Sequence, residues 1–186
     1  MVGFPRKTAL AALAALSLGL LTPSAEAAVV YATSVDSYTQ GTGITQIGRT
    51  NTANALGTED GKFLTLGRGG KAIFSFGGLF ITTGTVYEIT FGNPKKYQES
   101  VDVFGMLGGV ASYIGSLSNA GSGIFSFSGF FDQLMLVDTS PLGGGSKDGY
   151  DIDAIKVIPA AVPLPAGGLL LAGALGLIGS LRRRKA

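Results

Sequence analysis

Gly69-Gly70-Lys71-Ala72-Ile73-Phe74-Ser75-Phe76-Gly77-Gly78 is an alternating run held between two glycine pairs. In an extended chain Ala72, Phe74 and Phe76 point to one face and Ile73 and Ser75 to the other, since strand side chains alternate. The same period of two returns where Tyr87, Ile89 and Phe91 alternate with Val86, Glu88 and Thr90, and where Phe125 and Phe127 alternate with Ser126 and Ser128. Further short β-branched and aromatic runs predict strands over residues 29–35, 44–49, 62–66, 100–107, 110–117, 133–138 and 150–158. Little room is left for helix.

Between the runs stand Asp60-Gly61, Gly69-Gly70, Gly77-Gly78, Gly108-Gly109 and Asp148-Gly149, the residue pairs that supply positive φ to tight turns. Gly143-Gly144-Gly145-Ser146 reads as a loose surface loop. Gly67-Arg68-Gly69-Gly70 lacks both the G-x-G-x-x-G spacing and the P-loop Lys-Ser/Thr, so it is expected to be a hairpin turn and not a phosphate cradle. Many short strands with one apolar face each bury those faces by stacking, which predicts an all-β jelly roll or β-sandwich of two packed sheets.

The two ends of the 186-residue chain read differently. Arg6 and Lys7 precede an apolar run over residues 9–21, and Ala25-Glu26-Ala27 supplies small residues at the −3 and −1 positions of a cleavage site. Residues 1–27 are therefore expected to be a helical signal peptide, removed by the general secretory signal peptidase. Residues 28–158 form one domain, large enough for a real core. Residues 159–186 end it with Val162-Pro163-Leu164-Pro165-Ala166, an uncharged stretch to Leu181, and the basic cluster Arg182, Arg183, Arg184 and Lys185. The two prolines keep the backbone extended, the uncharged stretch is long enough for a tilted transmembrane helix, and the cluster acts as a stop-transfer signal. A plain membrane anchor is the alternative, although its apolar run is short and it has no need of a Pro-x-Pro motif.

Charge and composition narrow the chemistry. The net charge of +2 arises at the ends, because residues 28–158 hold eight basic against eleven acidic side chains, a net charge of −3. A mildly acidic domain is a poor nucleic-acid binder. With no Cys and no His the chain has no disulfide, no thiolate metal site and none of the commonest general bases. No G-x-S-x-G or S-x-x-K motif compensates, so a non-catalytic protein is expected.

Residues 162–186 closely resemble the PEP-CTERM class of bacterial sorting signals, in the variant that reads Val-Pro-Leu-Pro-Ala. The resemblance implies that an exosortase recognises and removes the tail. It also implies that the producer is a Gram-negative maker of extracellular polysaccharide, with the protein exported across the inner membrane, anchored there transiently by its C-terminus and then passed to the cell surface or matrix. Residues 54–61, 63–67, 101–104, 136–140 and 148–157, with the strand quoted first, resemble the β-sandwich domains of such surface proteins, which are similar in turn to galactose-binding-like, discoidin-type jelly rolls. A structural role in the matrix follows from this, or a lectin-like one toward its polysaccharide. Tyr31, Tyr38, Tyr87, Tyr97, Tyr113 and Tyr150 offer rings to a sugar, while the absence of Trp weighs against an aromatic platform.

Jelly rolls of this type also imply a structural calcium between an early loop and the final strand. Asp148, Asp151 and Asp153 sit at the entry to that strand, and the ligands to test first are Asp36, Glu59, Asp60 and Asp151. The spacing does not follow the EF-hand pattern, and the same acids serve equally as solvated turn carboxylates or as caps for loop N–H groups. Asp153 alternates with Ile155 and Val157 and is expected to point inward, where a carboxylate needs partners, unless a bulge near Ala154 turns it out.

Overall fold

A computed structural model describes residues 28–143 and 145–161. The expected signal peptide with Ala25 and Ala27, the motif Val162–Ala166, and the basic cluster Arg182–Lys185 lie outside the described residues.

The described chain is all-β. Its strands are β1 (Val30–Tyr31), β2 (Ser34–Thr39), β3 (Leu64–Thr65), β4 (Lys71–Glu88), β5 (Ser100–Leu107), β6 (Val110–Ser118), β7 (Ile124–Asp138) and β8 (Asp151–Pro159). All pair antiparallel in the order β1-β8-β4-β7-β5-β6, with β2 also on β4 and β3 also on β8. Among the described residues no helix is long and apolar enough to cross a membrane.

Two long strands turn this set into a sandwich. β4 and β7 both break register between Ser75 and Phe80 and again between Ile81 and Thr83. Before the breaks, residues 71–75 of β4 lie between β2 and residues 133–137 of β7, and β5 and β6 extend that layer. After them, residues 80–88 of β4 lie between the first half of β7 and β8, with β1 and β3 on the far side of β8. The expected Gly77-Gly78 turn is thus a bend inside one strand, and the separate runs predicted at 72–76 and from Val86 are its two ends.

Both layers face one core. Ala72, Phe74 and Phe76 are buried as the alternation predicts, and they meet Val101, Val103, Leu134 and Leu136 of their own layer and Val86, Phe125, Ile155 and Val157 of the other. Tyr38 also ties the layers by donating its hydroxyl to the Thr65 carbonyl at 2.7 Å. In the Tyr87-Ile89-Phe91 run the core residue is instead Val86; β4 ends at Glu88 and Phe91 is exposed. Gly108 and Gly109, at φ 57° and 81°, close the β5–β6 hairpin as a two-residue loop between paired Leu107 and Val110. Positive φ at both centres is the twist that suits a tight hairpin.

Two further expectations fail. Residues 44–49 are not a strand: Ile47–Thr50 and Thr52–Ala55 form 3-10 turns, the second capped by the Asn51 side chain accepting from Ala53 N at 3.1 Å. This segment pairs with no strand and leaves Ile47 93% exposed, and local turn bonds hold it instead. Gly67–Gly70 does turn, with Gly70 N donating to Gly67 O at 2.9 Å, but it closes no hairpin. β3 pairs with β8 while residues 71–75 of β4 pair with β2 and β7, so the turn carries the chain from one layer to the other.

Candidate functional site: a cleft at the entry to the last strand

Where β8 begins, the first 3-10 turn, the loop from β4 to β5 and the loop from β7 to β8 converge. They enclose an open cleft of about 580 Å³ whose lining includes Arg49, Phe91, Tyr97, Glu99, Asp148 and Asp151. Arg49 organises it. Its guanidinium carbon lies 5.1 Å from the Phe63 ring centroid and 5.2 Å from that of Phe91, while one nitrogen donates to Asp148 and stands 3.9 Å from Asp151 Oδ2. Two ring faces and a carboxylate fix a side chain that would otherwise sample many rotamers.

The floor is acidic and buried. Asp151 is 2% exposed and accepts from Thr65 Oγ1 at 2.5 Å. Burial pushes its carboxyl up to about 7, with Glu99 and Asp148 adding to the rise and Thr65 and Arg49 opposing it. Glu99 is pushed further, to about 8, by burial first and then by its hydrogen bond with Glu88. Burial raises Glu88 too. Glu99 therefore holds the proton and donates it to Glu88. Glu88 Oε1 and Glu99 Oε2 are buried, and among the described residues no donor reaches either.

Behind the floor, Asp138 is a structural clamp. Its Oδ1 accepts from Gly69 N at 3.1 Å and Ser140 N at 3.2 Å, and its Oδ2 from Ser140 Oγ at 2.7 Å and Tyr150 N at 2.8 Å. One carboxylate at the end of β7 thus holds the 67–70 turn and the start of β8 in place. Four donors from three segments fill its two oxygens, which makes it part of the frame.

The acids named from sequence separate. Asp148 and Asp151 meet at Arg49, whereas Asp153 leaves them. It is buried, as alternation expects, and its two oxygens accept from Asp60 N at 3.1 Å and Gly61 N at 3.2 Å. The anticipated bulge is also present, since the β4–β8 register passes from Tyr87↔Ala154 to Glu88↔Ile152 and skips Asp153. Backbone N–H groups satisfy this carboxylate.

The four calcium candidates are not brought together. Asp36 lies on the exposed face of the other layer, accepting from Ser34 Oγ at 2.7 Å, from Ser75 Oγ and from Gln133 Nε2 at 2.7 Å. The Ser75 bond, then the Ser34 bond, hold its carboxyl below the usual range. Glu59 stands by Tyr31, whose hydroxyl it helps burial to push up. Asp60 is exposed and bonds to Lys62 through both N, at 2.9 Å, and Nζ, at 2.7 Å. Only Asp151 reaches the cleft. Among the described residues no group of three or more acidic side chains is arranged to hold a metal ion.

Sequence reading missed Arg49, Phe91, Tyr97, Glu99 and Glu88 as members of one site. Glu88 ends β4 and Phe91, Tyr97 and Glu99 follow it in the loop to β5, but no local spacing joins this stretch to Arg49 in the first 3-10 turn or to Asp148 and Asp151, which meet it only when the layers close.

No family model matches the chain, and no curated protein matches it in sequence. Among solved structures, the family 32 CBM from C. perfringens NanJ in complex with galactose aligns at 10% identity over 70% of this chain and 98% of that one, with a TM-score of 0.48. The C-terminal domain of a chitobiase from Bacteroides fragilis aligns at 15% identity over 69% and 94%, with a TM-score of 0.47. The CBM32 of AlyQ in complex with 4,5-unsaturated mannuronic acid aligns at 12% identity over 68% and 97%, with a TM-score of 0.42. None reaches a TM-score of one half, and the sugars named are those of the other proteins.

Proposed function

We propose that this chain is an exported, non-catalytic surface module that binds a neutral carbohydrate in the Arg49–Asp148 cleft and reaches the cell surface through its C-terminal sorting signal. The observation that carries the binding reading is the make-up of the cleft. Arg49 offers fixed N–H donors, Asp148 offers acceptors, and the rings of Phe91 and Tyr97 stand on the same lining. Sugars ask for this combination, since their rings present hydroxyls at the edge and apolar C–H surface on the face. Near neutral pH Glu99 is protonated and Asp151 partly so, which brings the charge of the lining close to balance and favours a neutral polyol over a polyanion.

The sorting reading rests on residues 162–186, and the resemblance of residues 54–157 to galactose-binding-like domains agrees with the binding one. No catalytic step is assigned to the cleft. A glycan array probed with the exported chain and with Arg49→Ala tests the proposal. Signal on a restricted set of neutral glycans, lost in the variant, is expected. An array without sugar-dependent signal would replace it with a purely structural role in the matrix.

A further inference from the structure

The opposite end of the molecule is apolar. β8 runs eight residue steps from Asp151 in the cleft to Pro159, a separation of roughly 26 Å at the rise of an extended strand. At that far end Val30, Phe76, Leu79, Phe130, Pro159 and Ala160 line a groove of about 450 Å³, and none of the described residues lining it is charged. Its rim is open to solvent, with Leu79 44%, Phe130 57% and neighbouring Val29 50% exposed. Contiguous exposed apolar surface on a small soluble domain marks a contact site.

What the groove faces follows from the chain that leaves it. Ala160 N donates to Leu79 O at 2.8 Å, which pins the end of the described chain to the groove. Ala161 is followed directly by Val162-Pro163-Leu164-Pro165-Ala166, and the uncharged stretch then runs to Leu181 before the four basic residues. Five residue steps extend at most about 18 Å. While the apolar run lies in a bilayer, the groove cannot be farther than this from the interface. A charged end would be repelled from acyl chains, whereas this one gains by burial in the headgroup and acyl boundary.

We infer that the groove between Leu79 and Phe130 is a membrane-seating surface, which rests the domain on the bilayer that the tail spans and turns the Arg49 cleft outward. The inference rests on the anchoring step of the sorting reading above. It adds a role for the folded domain before processing, in which the Pro-x-Pro motif is presented at a fixed height above the membrane.

The chain contains no Trp, so a single introduced Trp reports on one place. The test uses chain exported in a host without an exosortase, which retains the tail, reconstituted in phosphatidylethanolamine and phosphatidylglycerol vesicles with brominated acyl chains. Leu79→Trp and Phe130→Trp probe the groove at exposed positions that tolerate a larger ring. Leu142→Trp, 84% exposed in the loop before β8, probes the other end. The groove variants are expected to lose about half of their emission to the brominated lipid, as burial at the acyl boundary requires, and Leu142→Trp to lose none. Unquenched groove variants in vesicles where the tail is protease-protected would overturn the seating surface and leave the anchor standing. Failure of the chain to float with vesicles would instead overturn the anchor itself.

Discussion

Glu99 shows how one residue can set the pH response of the domain. It is 8% exposed and carries its proton up to a pH of about 8, against a usual Glu value of 4.5. In the unfolded chain that proton leaves near pH 4.5, so between the two values the folded state holds more protons than the unfolded state, and stability falls as pH rises. The contribution is fully present below about pH 4.5 and lost as pH passes through about 8, with Asp151 adding a similar fall that ends near 7. Glu99→Gln keeps a neutral, hydrogen-bonding side chain beside Glu88. Its melting temperature is therefore expected to exceed that of the unaltered chain at pH 8.5 and to match it near pH 4.5. Thermal melts across this range check it, and an unchanged slope in the variant would show that Glu99 is ionised throughout.

At the scale of the element, a glycine inside a strand can serve packing and not a turn. Gly105 lies inside β5, and a Cβ built on it would come within 2.2 Å of the Phe131 ring of β7. Phe131 in turn packs 5.1 Å from Phe127 and 6.3 Å from Phe80, centroid to centroid, so the ring has little freedom to withdraw. Gly105→Ala is expected to destabilise the domain by about 1–3 kcal/mol, the usual cost of overfilling a packed site. A denaturation midpoint unmoved by the substitution would mean that the aromatic cluster repacks freely. Several strands were legible, since residues 100–107 and 110–117 stand where their β-branched and aromatic runs put them and Ala72, Phe74 and Phe76 face the core, whereas the alternation of Tyr87, Ile89 and Phe91 chose the wrong face. Residues 44–49 failed because a strand needs a neighbour, and β propensity alone does not supply one.

For the whole molecule, the described domain has two unlike ends, a polar cleft and an apolar groove, and the tail leaves from the second. If an exosortase reads that tail, Pro163→Ala with Pro165→Ala relaxes the extended motif and is expected to leave uncleaved precursor in the inner membrane. Replacing Arg182, Arg183, Arg184 and Lys185 by Gln weakens the stop-transfer signal, so unprocessed protein is expected in the periplasm. Fractionation and mass spectrometry of the C-terminus distinguish these outcomes. Wild-type behaviour in both variants, with the tail retained in the mature chain, would reduce the segment to a plain anchor. The sequence by itself determined the all-β class, because period-two alternation and glycine-paired turns act between residues adjacent in the chain. Alternation also pointed Asp153 inward, and it is buried, but the register skips it and Ile152 and Ala154 on either side are buried too, so pairing with β4 decides its place and not alternation alone. Tertiary structure alone decided that β4 and β7 each run through both layers, that Asp36, Glu59, Asp60 and Asp151 stand apart, and that Arg49, Glu99 and Asp148 share a cleft. Those facts depend on which distant segments meet when two sheets close over one core, and no local pattern in the chain encodes that meeting.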